Sequence, residues 1–276
     1  METNLKLLSQ LILVLLLVYV LFSALIYFRQ DSLIFYPNFP SRELTSTPSH
    51  IGLSYESISL TTEDSTILHG WFISHPQEKA VVVFFHGNAG NISHRIQTIQ
   101  LMHELALSVL IFDYRGYGKS QGKVSEKGLY LDAKAAWSYL TTSMGYENND
   151  IVIWGRSLGA AIAANLAANK QAKAVILEST FTSVPDMASQ LYPFLPVRWM
   201  SRYQLNVKQS VSAINSPLLI VHSRDDEIIP FSHGEKLFEF ANQPKSFLVI
   251  QGSHDAGIFV SAKAYTNKVQ VFLDSL

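Results

Sequence analysis

The chain has 276 residues, a net charge of −1 at pH 7 and no cysteine. The near-neutral charge and the lack of a basic tract argue against a nucleic-acid partner, and the lack of cysteine excludes disulfides, thiolate metal sites and a cysteine nucleophile. Apart from its N-terminal segment, the length suits one large α/β domain better than two small ones.

The first predicted element is a membrane span at the N-terminus. No residue between Lys6 and Arg29 is charged, and a helix of this length extends about 33 Å, enough to cross a hydrocarbon core of about 30 Å. The charges balance on the two sides of the run, so they do not set its orientation. A cleaved signal peptide is the alternative, but the run is longer than the usual ~7–15 residues, and residues 22–24 match a cleavage site poorly. We therefore predict an uncleaved single-pass anchor over residues 7–28, with the membrane as a partner.

Residues 29–50 are predicted to be an irregular connector lying on the domain, because prolines and several Ser and Thr residues interrupt any helical pattern from residue 31 onward. A single domain is expected over residues 51–276. It begins with a β-hairpin at one edge of a sheet: residues 55–60 alternate polar and apolar, a turn-forming cluster follows, and residues 66–74 resume a strand.

Downstream, buried strands and amphipathic helices alternate. Apolar, β-branched runs are typical of strands buried on both faces of a parallel sheet, and they lie at residues 80–85, 108–113, 151–154, 173–177, 217–221 and 246–250. Segments with helical spacing lie between or after them, at residues 92–105, 126–140, 158–169, 232–240 and 261–273. This alternation predicts an α/β fold in which a mostly parallel central sheet carries helices on both faces.

One segment, residues 181–211, interrupts the alternation. It contains several prolines and aromatic residues, and it is too apolar for a disordered linker. Long excursions inside a compact domain are usually functional, so one hypothesis makes the segment a cap whose residues 192–199 offer an apolar surface to an acyl chain. The alternative is a plain connector that covers part of the core.

Residues 155–159 read Gly-Arg-Ser-Leu-Gly and stand between a predicted strand and a predicted helix. Gly-x-Ser-x-Gly in this setting is the nucleophile elbow, a sharp turn that exposes the serine. A side chain at residue 155 or 159 is expected to collide with the neighbouring strand or helix. The pentapeptide alone arises by chance in about one chain in ten of this length, so further motifs must support it.

Other reactive side chains follow the ends of later strands, where ligands gather in open parallel sheets. Asp225 and Asp226 follow the fifth parallel strand, and His254 follows the last. With Ser157, this arrangement places nucleophile, acid and base in the order Ser, Asp, His, which is the order of the α/β-hydrolase triad. The positions of the two aspartates along the chain leave the choice between them open.

Five motifs occur in one order along the chain. They are His-Gly-Asn-Ala-Gly-Asn at 86–91, Asp-Tyr-Arg-Gly-Tyr-Gly-Lys-Ser at 113–120, the elbow at 155–159, Asp-Glu-Ile-Ile-Pro at 226–230 and Gly-Ser-His at 252–254. Together they resemble the membrane-anchored Bem46-like serine hydrolases of the α/β-hydrolase superfamily. The resemblance extends over nearly the whole chain, including the anchor and the hairpin.

The resemblance implies a role for each of these residues. Ser157 would be the nucleophile, His254 its general base and Asp226 the acid that orients the imidazole, because the family pattern has the acid four residues before a proline. The backbone amides of Asn88 and Leu158 would form the oxyanion hole.

Polar residues near these motifs are expected to have structural roles. His86 should hold the oxyanion loop through a backbone hydrogen bond, and Asp113 and Arg115 should brace the loop after their strand. The histidines at residues 69, 75, 94 and 103 do not have metal-ligand spacing. We predict neither a metal nor an organic cofactor.

These assignments predict a serine hydrolase that cleaves carboxylic ester or thioester bonds through an acyl-enzyme, with a lipid or another acyl compound as substrate. A serine peptidase of the same fold is an alternative, although it needs a pocket for a peptide backbone. A membrane-tethered scaffold without catalysis is another, although such proteins usually lose a triad residue. A dehalogenase with an aspartate nucleophile is disfavoured because the elbow holds a serine.

Overall fold

The computed structural model describes residues 2–276 and has an eight-stranded sheet at its centre. The strands are β1 (Glu56–Thr61), β2 (Ile67–Ile73), β3 (Ala80–Phe85), β4 (Leu107–Phe112), β5 (Ile151–Arg156), β6 (Ala174–Glu178), β7 (Leu218–Ser223) and β8 (Lys245–Ile250). Their order across the sheet is β1-β2-β4-β3-β5-β6-β7-β8. The β1–β2 and β2–β4 pairs are antiparallel and the others are parallel, so the predicted hairpin does lie at one edge.

Helices connect the strands and cover the sheet. They are α1 (Glu2–Ile34), α2 (Ile96–Glu104), α3 (Glu126–Ser138), α4 (Leu158–Ala167), α5 (Val184–Leu191), α6 (Val197–Met200), α7 (Val207–Val211), α8 (Ser232–Phe240), α9 (Gly257–Val260) and α10 (Ala262–Asp274). The predicted helix over 92–105 begins with a 3₁₀ turn, Ile92–Arg95, before α2. Residues 181–211, predicted to interrupt the alternation, contain the three short helices α5, α6 and α7.

Both faces of the sheet are buried, as the continuous apolar strands predict. Successive side chains of β3 alternate between two cores: Val81 and Val83 pack in one cluster, Val82 and Phe84 in the other. Helices α3, α4, α7 and α8 contribute to the first cluster, and α2, α9 and α10 to the second. This arrangement confirms the predicted α/β fold with helices on both faces.

Helix α1 is one long, exposed, apolar helix at the N-terminus. It has 33 residues, which corresponds to a length of about 50 Å. The most apolar 18-residue window has a mean hydropathy of 2.9, and none of it is buried in the protein. Length and composition are therefore sufficient for a membrane span.

The prediction of an irregular connector is wrong for residues 29–34, which continue α1. The reason is tertiary. Gln30 Nε2 donates a hydrogen bond to the Met200 carbonyl oxygen (2.8 Å), and the Arg202 amide donates to Gln30 Oε1 (2.7 Å). These bonds hold the last turns of α1 against the 181–211 segment, and they outweigh the weak local preference of a polar, Ser-containing stretch.

Candidate active site

The turn between β5 and α4 holds Ser157 in a backbone conformation that residues with a side chain rarely adopt. Its φ is 54° and its ψ is −120°, so the turn stores strain. A Cβ atom on Gly155 would lie 2.5 Å from the Gly159 carbonyl oxygen, and one on Gly159 would lie 2.0 Å from the Phe85 carbonyl oxygen. The steric reason expected for the two glycines of the elbow is confirmed.

Three residues far apart in the chain form one hydrogen-bonded chain of side chains at the elbow. His254 Nε2 lies 3.1 Å from Ser157 Oγ, and His254 Nδ1 lies 2.8 Å from Asp226 Oδ2. The other carboxyl oxygen of Asp226 accepts hydrogen bonds from the backbone amides of Ile228 (3.0 Å) and Ile229 (2.8 Å). The structure thus brings together the serine, histidine and aspartate that the sequence singled out.

The neighbouring carboxyl group, which the chain order left open as the acid, has a different partner. Asp225 Oδ2 accepts the backbone amide of Gly252 at 2.9 Å. Asp225 therefore ties the β7 loop to the β8 loop, while Asp226 contacts the ring of His254.

Local electrostatics favour an ionised Asp226 next to the ring of His254. Burial raises the pKa of Asp226, but the hydrogen bond from His254 and the amide of Ile229 outweigh it, so the pKa lies below its usual value. An ionised Asp226 accepts the Nδ1 proton of His254, which leaves the Nε2 lone pair facing Ser157. His222 also lies near this carboxylate, at 3.5 Å, but burial lowers the pKa of His222 and keeps its ring neutral.

The loop that carries His254 is held in place from the elbow itself. Arg156 Nη2 donates to the carbonyl oxygens of His254 (2.6 Å) and Asp255 (2.9 Å), and the His254 amide donates to Glu227 Oε2 (2.9 Å). Sequence reasoning did not assign these roles. The only available signal was the position of Arg156 directly before the predicted nucleophile.

The oxyanion loop lies directly against the elbow. A Cβ atom on Gly87 would lie 3.6 Å from the Cβ of Ser157, and Asn88 and Leu158 line the same cavity as Ser157. Within residues 2–276, neither the Asn88 amide nor the Leu158 amide donates to a protein acceptor. Both N–H groups are therefore free to bind an oxygen atom of a ligand.

Buried polar side chains support this loop from below. His86 Nδ1 lies 2.8 Å from the Gly87 carbonyl oxygen, which confirms the expected backbone contact, and burial lowers the pKa of His86 to about 3. Asp113 Oδ1 accepts the Ile92 amide at 2.9 Å. Arg115 forms a buried ion pair with α3. These three residues brace the loops next to the site and lie behind it.

The Asn88 side chain ties the oxyanion loop to the end of α1, a role that sequence reasoning missed. Its Nδ2 donates to the Ile34 carbonyl oxygen (2.6 Å), and its Oδ1 accepts from the Tyr36 amide (3.1 Å) and the Tyr117 hydroxyl (2.8 Å). The sequence implied only a backbone role for Asn88. Ile34 and Tyr36 precede Asn88 by more than 50 positions, so no local pattern could have revealed these contacts.

A cavity of about 490 Å³ opens at Ser157, a volume within the usual range of small-molecule sites. Its walls are mostly apolar, and besides the residues around Ser157 two separate parts of the chain contribute to them. The end of α1 contributes Ile26 and Leu33, and the 181–211 segment contributes Met187, Leu191 and Val197. The 181–211 segment therefore lines the site, and its role as a cap stays a prediction.

The aromatic residues of the cap contribute less to the cavity than the sequence suggested. Tyr192 lines it. Phe194 contacts α1 instead, with its ring centroid 6.1 Å from that of Phe22, and Trp199 points away from the protein. The apolar lining comes largely from aliphatic and Met side chains of α5 and α6.

Known proteins resemble this chain over most of its length. The family described as "Serine aminopeptidase, S33" (Hydrolase_4) matches residues 76–205, which include the oxyanion loop and the elbow. Protein bem46 of Schizosaccharomyces pombe is 35% identical over 217 residues, or 74% of this chain and 72% of bem46. The membrane protein YNL320W of Saccharomyces cerevisiae is 34% identical over 242 residues, or 84% of this chain and 85% of that protein. The structure of the Pyrococcus furiosus esterase Pf2001 has a TM-score of 0.68 and 25% identity, and it covers 83% of this chain and 93% of the esterase.

We expect the stability of the protein to carry a pH dependence that Asp113→Asn removes. Burial raises the pKa of Asp113 to about 7, whereas an unfolded chain has a value of about 4. The folded state therefore favours the protonated carboxyl, and the stability it contributes is complete below about pH 4 and declines as the pH rises towards 7. The melting temperature of Asp113→Asn relative to the wild type should be higher at pH 8 than at pH 5. A difference that stays constant over this range would contradict the assignment.

Proposed function

This chain belongs to the α/β-hydrolase family that includes bem46, and on that premise we propose that it is a membrane-anchored serine hydrolase that cleaves carboxylic esters or thioesters of acyl compounds. The observation that carries the proposal is the hydrogen-bonded chain of Ser157, His254 and Asp226, which opens into an apolar cavity. The similarity to an esterase, Pf2001, supports the same type of bond as the target.

In the proposed mechanism, Ser157 Oγ attacks the carbonyl carbon while His254 Nε2 takes the hydroxyl proton. Asp226 stabilises the imidazolium that forms. The carbonyl oxygen becomes an oxyanion and accepts hydrogen bonds from the amides of Asn88 and Leu158. Both amides are in place before the reaction, and their hydrogen bonds to the oxygen become stronger as its negative charge develops. His254 then donates its proton to the leaving alcohol or thiol, and the acyl group remains on Ser157.

Water completes the reaction by the same steps. His254 takes a proton from the water molecule, and the hydroxide oxygen attacks the acyl carbon. The second oxyanion accepts hydrogen bonds from the same two amides. Collapse of this intermediate breaks the bond to Ser157 Oγ, which regains its proton from His254. The products are a carboxylic acid and the free enzyme.

The cavity walls favour an acyl chain over a peptide as the substrate. The side chains contributed by α1 and the cap are mainly aliphatic, and they offer van der Waals contact without the hydrogen-bond partners that an extended peptide backbone requires. Lipids and other long-chain acyl compounds fit such walls. Because the matching family is described as a serine aminopeptidase, amide hydrolysis is the competing activity to be tested.

The division of the chain follows from the same proposal. Residues 7–28 cross the membrane as an uncleaved anchor, residues 29–50 connect it to the catalytic domain of residues 51–276, and residues 181–211 form the cap. The exposed apolar helix α1 and the similarity to a yeast membrane protein support the anchor. Near the end of α1, Gln30 donates a hydrogen bond to the cap, and the Ile34 carbonyl oxygen accepts one from Asn88 of the oxyanion loop. These two bonds give the helix a structural role in the site as well.

A fluorophosphonate probe should label the full-length protein in detergent and should fail to label Ser157→Ala. The probe reacts only with a serine whose proton a base removes, so labelling reports the nucleophile and His254 together. Wild-type protein should also hydrolyse p-nitrophenyl octanoate faster than an amino-acid p-nitroanilide. A folded wild-type protein that the probe leaves unlabelled would falsify the catalytic proposal, and a preference for the anilide would favour the peptidase.

Changing each of the two adjacent aspartates to asparagine should lower kcat by very different factors. Asp226→Asn is expected to lower kcat for an ester by about 10³- to 10⁴-fold, because the neutral amide no longer favours the productive tautomer of His254. Asp225→Asn is the matched control. It weakens one hydrogen bond to Gly252, worth about 1 kcal/mol, so kcat should fall less than about tenfold. Equal losses in the two variants would contradict the assignment of the acid.

Narrowing the cavity from the cap should shift the preferred acyl length. Met187 lines the cavity on α5, and Met187→Trp should reduce kcat/KM for long-chain esters relative to short-chain esters by about tenfold or more, since the larger side chain excludes several methylene groups. The measurement is turnover of p-nitrophenyl esters of graded length. Met144→Trp makes the same change at an exposed position away from the cavity and should leave the length profile unaltered. If Met187→Trp leaves the dependence of kcat/KM on acyl length unaltered, the result would favour the alternative that residues 181–211 are a plain connector.

A further inference from the structure

We propose that the outer surface of the cap is a second membrane contact, which holds the mouth of the cavity against the lipid bilayer. This surface, here called the cap face, consists of Leu191, Phe194 and Trp199, whose exposed fractions are 61%, 60% and 92%. All three lie within nine residues of the chain, and groups of exposed apolar side chains of this size mark contact with a partner or a membrane. The proposal rests on the proposed function in one respect, that α1 crosses the bilayer.

The depth of the cap face follows from its contacts with α1. The Tyr19 hydroxyl donates to the Phe194 carbonyl oxygen (3.1 Å), and the rings of Phe22 and Phe194 are 6.1 Å apart. Tyr19 and Phe22 lie within the uncharged run before Arg29. Tyr19 lies ten positions before Arg29, which is about 15 Å along a helix. A residue that contacts Tyr19 therefore lies within the lipid that α1 crosses, well below the first charged side chain.

The cap is also fixed to α1 at its other end, so the two elements move together. Gln30 exchanges two hydrogen bonds with the backbone of Met200 and Arg202, and the Tyr203 hydroxyl donates to Asp31 Oδ1 at 2.7 Å. Contacts at both ends span about 18 Å of helix. Because of these contacts, insertion of α1 in the bilayer brings the cap face into contact with lipid without any rearrangement.

The side chains around the cap face match the chemistry of a bilayer boundary. Trp199 stands between Arg198 and Arg202, which are both exposed. Aromatic rings favour the boundary between lipid and water, and arginine side chains favour the phosphate layer above it. The two arginines have partners in the protein, since Arg198 pairs with Asp186 at 2.8 Å and Arg202 pairs with Asp31 at 3.5 Å. Their aliphatic stems and the apolar residues remain free to contact lipid.

This contact would give the substrate a direct route from the bilayer. Leu191 belongs to the cap face and also lines the cavity, so the cavity reaches the surface at this residue. On the opposite wall, Ile26 and Leu33 continue α1 from the lipid towards Ser157. An acyl chain can enter between these walls without crossing water. The substrate class that fits is a bilayer-resident acyl lipid.

Trp199 provides an intrinsic probe for the experiment. The other three tryptophans, Trp71, Trp137 and Trp154, are buried in the protein core. Full-length protein is reconstituted into phosphatidylcholine vesicles whose acyl chains carry bromine, a short-range quencher, and the emission is compared with that in unbrominated vesicles. Wild-type protein should lose the Trp199 component of its emission. Trp199→Phe, the matched control, should show little bromine-dependent quenching.

The outcomes separate this proposal from the proposed function. Vesicle flotation reports whether α1 is anchored, and fluorophosphonate labelling of Ser157 reports whether the folded site is active. If the protein floats with the vesicles and is labelled, but wild type and Trp199→Phe are quenched equally, the cap face does not touch lipid and the proposal is overturned. If the protein does not float, the anchor itself is refuted, and with it the proposal. A bromine-dependent loss of emission that occurs in the wild type and not in Trp199→Phe supports the proposal.

Discussion

The site depends on one close approach between backbones, where the first turn of α4 meets the ends of β3 and β5. The space that a Cβ would need at residues 155 and 159 is already occupied by carbonyl oxygens and the α4 backbone. This contact forces the strained turn at Ser157 and aims its side chain out of the sheet. It also sets the distance between the elbow and the loop after β3. Both proposed oxyanion donors, the amides of Asn88 and Leu158, are thus positioned by the same packing.

The proposed anchor is bonded to the α/β-hydrolase domain at two points. The end of α1 is bonded on one side to the cap through Gln30 and on the other to the oxyanion loop through Asn88. The same stretch of helix supplies part of the cavity wall. A helix that served only as a tether would need none of these contacts. Any movement of this helix end therefore bears on the geometry of the site.

Burial and hydrogen bonds set the charges of the ionisable side chains around His254. Burial keeps His86 and His222 neutral, while hydrogen bonds keep Asp226 ionised despite its burial. The carboxylate can then act on His254 alone, in surroundings where an unpaired charge is costly. The apolar walls of the cavity strengthen this effect because they exclude water from the reacting groups.

The pattern of residues along the chain was enough to predict the α/β fold, the edge hairpin, the elbow and the candidate triad. Each of these depends on short-range features: strand and helix periodicity, two glycines around a serine, and reactive residues directly after buried strands. The roles of Gln30 and the Asn88 side chain and the helical state of residues 29–34 were decided by contacts between segments far apart in the chain. So was the outward direction of Trp199, since an aromatic residue in a short helix carries no local signal of which face is buried. Such contacts exist only once the sheet has brought its strand ends to one edge, which is why tertiary structure alone could determine them.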